Sequence, residues 1–147
     1  MSGEEIEKAF PNLQITGYSI TSPATLEYNC IAWAAGESQS WWEPDPLSLY
    51  YWPSNTPRQY TAEAYKKAYE NIGYAVCNNP AYEEGFEKIA IYIDIHGKPT
   101  HAARQLISGN WTSKLGQLED IEHVALDDIA GQYYGSVGVI MKRPKEK

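Results

Sequence analysis

The chain has 147 residues, 12 Lys and Arg against 19 Asp and Glu, a net charge of -7 and 43% hydrophobic residues. That length fits one domain, 1–147 with its core at about 12–142, which can bury about two-thirds of its unfolded surface without disulfides or metals. The charge disfavours a nucleic-acid partner, no apolar run approaches the roughly 20 residues of a membrane span, and the polar start Met1-Ser2-Gly3-Glu4-Glu5 has no apolar secretion core, so a cytoplasmic protein with no membrane partner is expected.

In chain order, the first fifteen residues read as a short helix followed by Pro11 and a loop. The run from Thr25 to Gly36 is apolar nearly all round and reads as a central, buried helix. Asn29 or an upstream Ser or Thr is its candidate cap, and Gly36 its stop. Residues 41–57 hold Trp41-Trp42-Glu43-Pro44-Asp45-Pro46 and Tyr50-Tyr51-Trp52-Pro53. Prolines this dense forbid a regular helix or a central strand, so the segment is an ordered loop held by its aromatic rings. Thr61 opens a second helix that runs through Asn71, with Ala64, Tyr65, Ala68 and Ile72 at helical spacing and Gly73 closing it.

The remainder reads as strands. Tyr74–Cys77 is short, Lys88–Asp94 is apolar enough to be central, and His96-Gly97-Lys98-Pro99 turns the chain. Thr100–Leu106, Asn110–Lys114 and Gly135–Lys142 complete a meander. The expected fold class is α+β, with N-terminal helices packed on an antiparallel sheet of about four to six strands.

Two cysteines, Cys30 and Cys77, are too few for a disulfide framework. Cysteine hydrolysis needs a thiolate, favoured at a helix N-terminus, and an imidazole to pair with it. Cys30 lies near the start of the buried helix, and His101 lies near the start of a strand 71 residues on. These are the candidate catalytic pair. A third group would orient the imidazole: His123 is the first choice, with Ser113 and Asp120 as alternatives.

The segments Tyr28-Asn29-Cys30-Ile31-Ala32-Trp33-Ala34, Ile89-Ala90-Ile91-Tyr92 and Thr100-His101-Ala102-Ala103 resemble the papain-like superfamily, closest in layout to the NlpC-type and CHAP-type cysteine peptidases and amidases. Trp111-Thr112-Ser113-Lys114-Leu115-Gly116 and Tyr134-Gly135-Ser136-Val137 are similar to a group of uncharacterised bacterial proteins. The resemblance spans about residues 26–142. It implies a papain-like architecture and acyl transfer on a peptide-like or amide substrate. Cys30 would attack, His101 would shuttle the proton, and Trp33, Trp41, Trp42, Trp111 and Ser113 would line the substrate cleft. One departure stands out: NlpC-type enzymes place the histidine where this chain has Lys88.

Blander readings compete at each position. A free cysteine is most often an inert core thiol, and a strand histidine is often only a hydrogen-bonded residue. The Trp41–Trp52 aromatics fit a substrate roof, loop packing, or a surface that grips a protein partner. No cofactor is implied: the glycines are isolated, and Cys30, Cys77, His101 and His123 lack the short paired spacings of zinc sites.

Overall fold

The computed structural model describes residues 3–115 and 118–145. Met1, Ser2, Lys147 and the Gly116 of the Trp-x-Ser-Lys-x-Gly element lie outside them. Helices α1 (Gly3–Ala9) and α2 (Pro11–Thr16) lead into strand β1 (Tyr18–Ser22). Helix α3 (Cys30–Ala34) precedes the aromatic loop, and α4 (Ala62–Asn71) follows it. Strands β2 (Ala75–Cys77), β3 (Phe86–Ile93), β4 (Pro99–Gln105), β5 (Trp111–Lys114), β6 (Asp120–His123) and β7 (Ser136–Pro144) complete the chain, with a 3-10 turn at Leu126–Ile129.

These strands form one seven-stranded sheet in the order β1-β6-β5-β4-β3-β7-β2, and every pairing is antiparallel. This corrects the expectation of helices packed on four to six strands in a papain-like layout. The sheet is larger, the helices are few and short, and they cover both of its faces. The helix expected from Thr25 to Gly36 is only the five residues of α3, and the chain before Asn29 is irregular. Strands β1, Tyr-Ser-Ile-Thr-Ser, and β6, Asp-Ile-Glu-His, were not expected: β1 is mostly exposed and carries strand-favouring Tyr18, Ile20 and Thr21 with no sustained apolar alternation, and β6 has one apolar residue in four.

A strand sends successive side chains to opposite faces, so a sheet buried on both sides has two cores. On one face Ile89, Ile91, Ala102 and Met141 pack under α3, α4 and the aromatic loop, with Cys30, Tyr65, Tyr69, Trp42 and Trp52. On the other, Ala90, Tyr92, Ala103, Trp111 and Ile121 pack against Ile6, Phe10 and Leu13 of the N-terminal helices. Gly135 turns the chain into β7 at φ +74°, where an added Cβ would sit 2.0 Å from the Ile93 carbonyl oxygen. Only glycine fits there, and the turn sets Tyr134 over the second core.

Lys88, at the NlpC histidine position, is a structural residue. Its Nζ donates to the carbonyls of Asn79 at 2.7 Å and Ala81 at 2.8 Å, and lies 3.4 Å from the Glu83 carboxylate.

Candidate functional site

Asn29 caps α3: its Oδ1 accepts from the Ala32 N–H at 3.2 Å and the Trp42 N–H at 3.1 Å, while its Nδ2 donates to the Trp42 carbonyl at 2.7 Å. One side chain thus fixes both the helix start and the aromatic loop. Cys30 is the first residue of that helix and is 8% exposed. Burial pushes its thiol up to about 11, outweighing the opposing pull of nearby backbone N–H groups, that of Ala102 first. At neutral pH the group is a thiol and not a thiolate.

His101 is fully buried on the other face of the sheet. It pairs with Tyr92 across β3 and β4, and Tyr92 belongs to the core under the N-terminal helices. The imidazole lies flat against Tyr134, with centroids 4.1 Å apart and planes 10° apart, and meets the edge of Tyr92 at 5.4 Å. Neither ring nitrogen has a hydrogen-bond partner among the described residues. Burial, and then the neighbouring His123, hold it well below its ordinary value, so the ring is neutral. Strand alternation presents Ala102 to Cys30 and turns His101 away. The Cys30–His101 dyad is therefore corrected: the sheet stands between the two side chains.

His123 and Ser113 do meet, on the same face as His101. The Ser113 hydroxyl donates to His123 Nε2 at 2.8 Å, and His123 Nδ1–H donates to the Ala125 carbonyl at 3.0 Å. Both imidazole nitrogens are thereby used, so His123 does not orient His101. Burial also lowers the pKa of His123. Both residues are enclosed, which makes them a satisfied core pair and leaves no approach for a substrate. Asp120 sits on the Cys30 face, where it accepts from the Tyr28 hydroxyl. Among the described residues no three His, Cys, Asp or Glu gather as metal ligands.

The four tryptophans named for a cleft do not share one. Trp111 is buried under the N-terminal helices. Trp33 stacks on Tyr28 at 5.3 Å, and its Nε1 donates to Thr112 at 3.0 Å. Trp42 is buried with Trp52, and its Nε1 donates to Glu37 at 3.1 Å. Trp41 is half-buried, and its Nε1 donates to Glu43 at 3.1 Å.

What the loop offers is its outer surface. Trp42 and Trp52 are the anchors, and a bridge between Trp42 and Tyr51 closes the loop. Asp45 accepts from the N–H groups of Leu49 at 2.7 Å and Tyr50 at 3.1 Å, and Arg58 holds both Asp45 and the Tyr50 carbonyl. Tyr60 donates to Glu43 at 2.5 Å. Held this way, the loop leaves Leu47 at 76% and Leu49 at 73% exposure, with Tyr50, Tyr51 and Tyr60 about half exposed. Sequence reading singled out the tryptophans and missed Leu47, Leu49 and Tyr60. The available signal was Asp45 between two prolines, a residue suited to capping the turn that projects the leucines.

A family model described as "Domain of unknown function (DUF7689)" matches residues 19–142. No curated protein and no solved structure matches the chain.

Proposed function

The chain belongs to the DUF7689 family, and from that premise we propose that it is a protein-binding module whose contact surface is the rigid loop 41–60. The observation that carries this reading is the combination of rigidity and exposure. Two buried indoles and the Asp45–Arg58 bonds hold a loop whose leucines and tyrosines face solvent. A loop fixed before binding loses little conformational entropy on association, and clustered exposed apolar side chains mark interaction surfaces. The half-buried Glu37 and Glu43 lie beside these residues, so the partner is a protein surface with an apolar centre and a basic rim. The setting is the cytoplasm, where both free cysteines stay reduced.

The test is photo-crosslinking in the native cell with a benzoylphenylalanine at position 47 or 49. The expected result is one light-dependent protein adduct that disappears when Asp45→Ala loosens the loop. The reading is overturned by no adduct from either position, or by a thiol-directed activity probe that labels Cys30 and needs His101 to do so.

A further inference from the structure

Beyond the loop, the molecule carries a second feature with ligand chemistry. At the β4–β5 end of the sheet lies a cleft of about 600 Å³, walled by Tyr82, Phe86, Leu106 and Ile107 and reached by Arg104 and Glu122. This volume falls inside the range of small-molecule sites, roughly 300–1,000 Å³. Arg104 pairs with Thr112 across β4 and β5, and Thr112 pairs with Glu122 across β5 and β6. Arg104 and Glu122 therefore project from the same face, two strands or about 10 Å apart at their Cα atoms.

Both are half-buried, and neither has a counter-ion within salt-bridge distance among the described residues. Arg104 is fixed without one: Nε donates to the Trp33 carbonyl at 3.2 Å, and the guanidinium lies 5.1 Å over the Trp33 ring. That leaves the outer edge of its fork with no acceptor among the described residues. Among the described residues Glu122 accepts only from Asn110, at 2.8 Å. Of the cleft's other charges, Glu87 accepts from Arg143 at 2.7 Å, and Lys145 donates to the neutral Tyr82 hydroxyl at 3.1 Å, with no carboxylate within salt-bridge distance among the described residues. A half-buried charge with no partner costs free energy that a bound counter-charge returns.

We propose that this cleft binds a free α-amino acid with an apolar side chain. Arg104 takes the carboxylate, Glu122 takes the ammonium, and Phe86, Tyr82, Leu106 and Ile107 cover the side chain. A zwitterion accounts for unpaired charges of both signs in one cleft, Arg104 and Glu122 facing each other across Thr112, which neither a simple anion nor a neutral ligand does.

The experiment titrates the full-length protein with L-phenylalanine and follows backbone amide shifts by NMR. L-phenylalaninamide and N-acetyl-L-phenylalanine serve as the two single-charge controls. Saturable shifts at the amides of Phe86, Ile107, Ser108 and Glu122 are expected, with each control at least about tenfold weaker, as for loss of one charge-assisted bond. Arg104→Gln and Glu122→Gln should each weaken L-phenylalanine by the same factor. Should Arg104→Gln fail to fold, Glu122→Gln still decides, because glutamine keeps the acceptor for Asn110. Three results overturn the proposal: no shifts in the cleft at about 10 mM, the weak end of specific binding; controls that bind as well as the free amino acid; or Glu122→Gln binding unchanged.

Discussion

Acid should unfold this protein earlier than its carboxylates alone require, and His101 is the main reason. Its ring is fully buried, neutral and without a hydrogen-bond partner among the described residues. Burial depresses its pKa in the folded state well below 6.5, whereas the unfolded chain titrates near 6.5. Below pH 6.5 the unfolded state therefore binds a proton that the folded state refuses, so stability falls as pH falls. While the ring stays neutral, the slope approaches about 1.4 kcal/mol per pH unit, and the loss between pH 7 and pH 5 is about 2 kcal/mol. His123, also lowered by burial, adds in the same direction. The carboxylates held low, such as Glu37, Glu83 and Asp94, lose their contribution only below about pH 4.5, whereas Asp120, raised by burial, contributes with the opposite sign, so the comparison with a His101 variant between pH 6.5 and 5 is what isolates this imidazole. Urea unfolding at half-unit pH steps measures the slope in the wild type and in His101→Phe, which preserves the stack on Tyr134. The variant should lose about 2 kcal/mol of pH dependence across the window. An unchanged slope in His101→Phe would refute the placement of a neutral, enclosed imidazole.

Four further outcomes follow from the packing. Trp42→Ala should cost about 3–5 kcal/mol in chemical denaturation, because a buried ring that anchors the loop is removed. Asn29→Ala should cost about 1–2 kcal/mol from the lost helix cap, with more from the freed Trp42 backbone groups, read by the same assay. Leu47→Ser with Leu49→Ser should change stability by under about 0.5 kcal/mol, since both side chains are in solvent, yet abolish the crosslinked adduct. Gly135→Ala should prevent normal folding or lower the melting temperature steeply, because the new Cβ meets the Ile93 backbone and cannot be accommodated by a rotamer change.

The strands β3 and β7, with β-branched and apolar runs, and β4 and β5, set off by the turns at 96–99 and 108–109, lie within a residue or two of where pattern placed them, as does α4 with its Thr61 cap. Asn29 as a cap was legible for the same reason, that a side-chain acceptor at a helix start has local physics behind it. Two things were not. Strands β1 and β6 hold their place through pairing with each other and with β5, a tertiary cause that leaves little trace in five or four residues. The side of the sheet taken by His101 was also hidden. Thr100–Leu106 buries both faces, so polar–apolar alternation, which normally reports parity, is missing there. A Cys followed by a His at plausible spacing is equally consistent with meeting and with standing on opposite faces, and one residue of register separates the two outcomes.

The central claim, that Cys30 is an enclosed thiol with no imidazole partner and that the loop is the functional surface, meets its most direct test in alkylation. Iodoacetamide labelling of the native protein, read separately at Cys30 and Cys77 by peptide mass spectrometry between pH 5.5 and 8.5, compares wild type with His101→Phe. Cys30 should label more slowly than the half-buried Cys77 at every pH, and equally slowly in the variant. Fast labelling of Cys30 at pH 5.5 that His101→Phe abolishes would contradict the account and restore the catalytic pair.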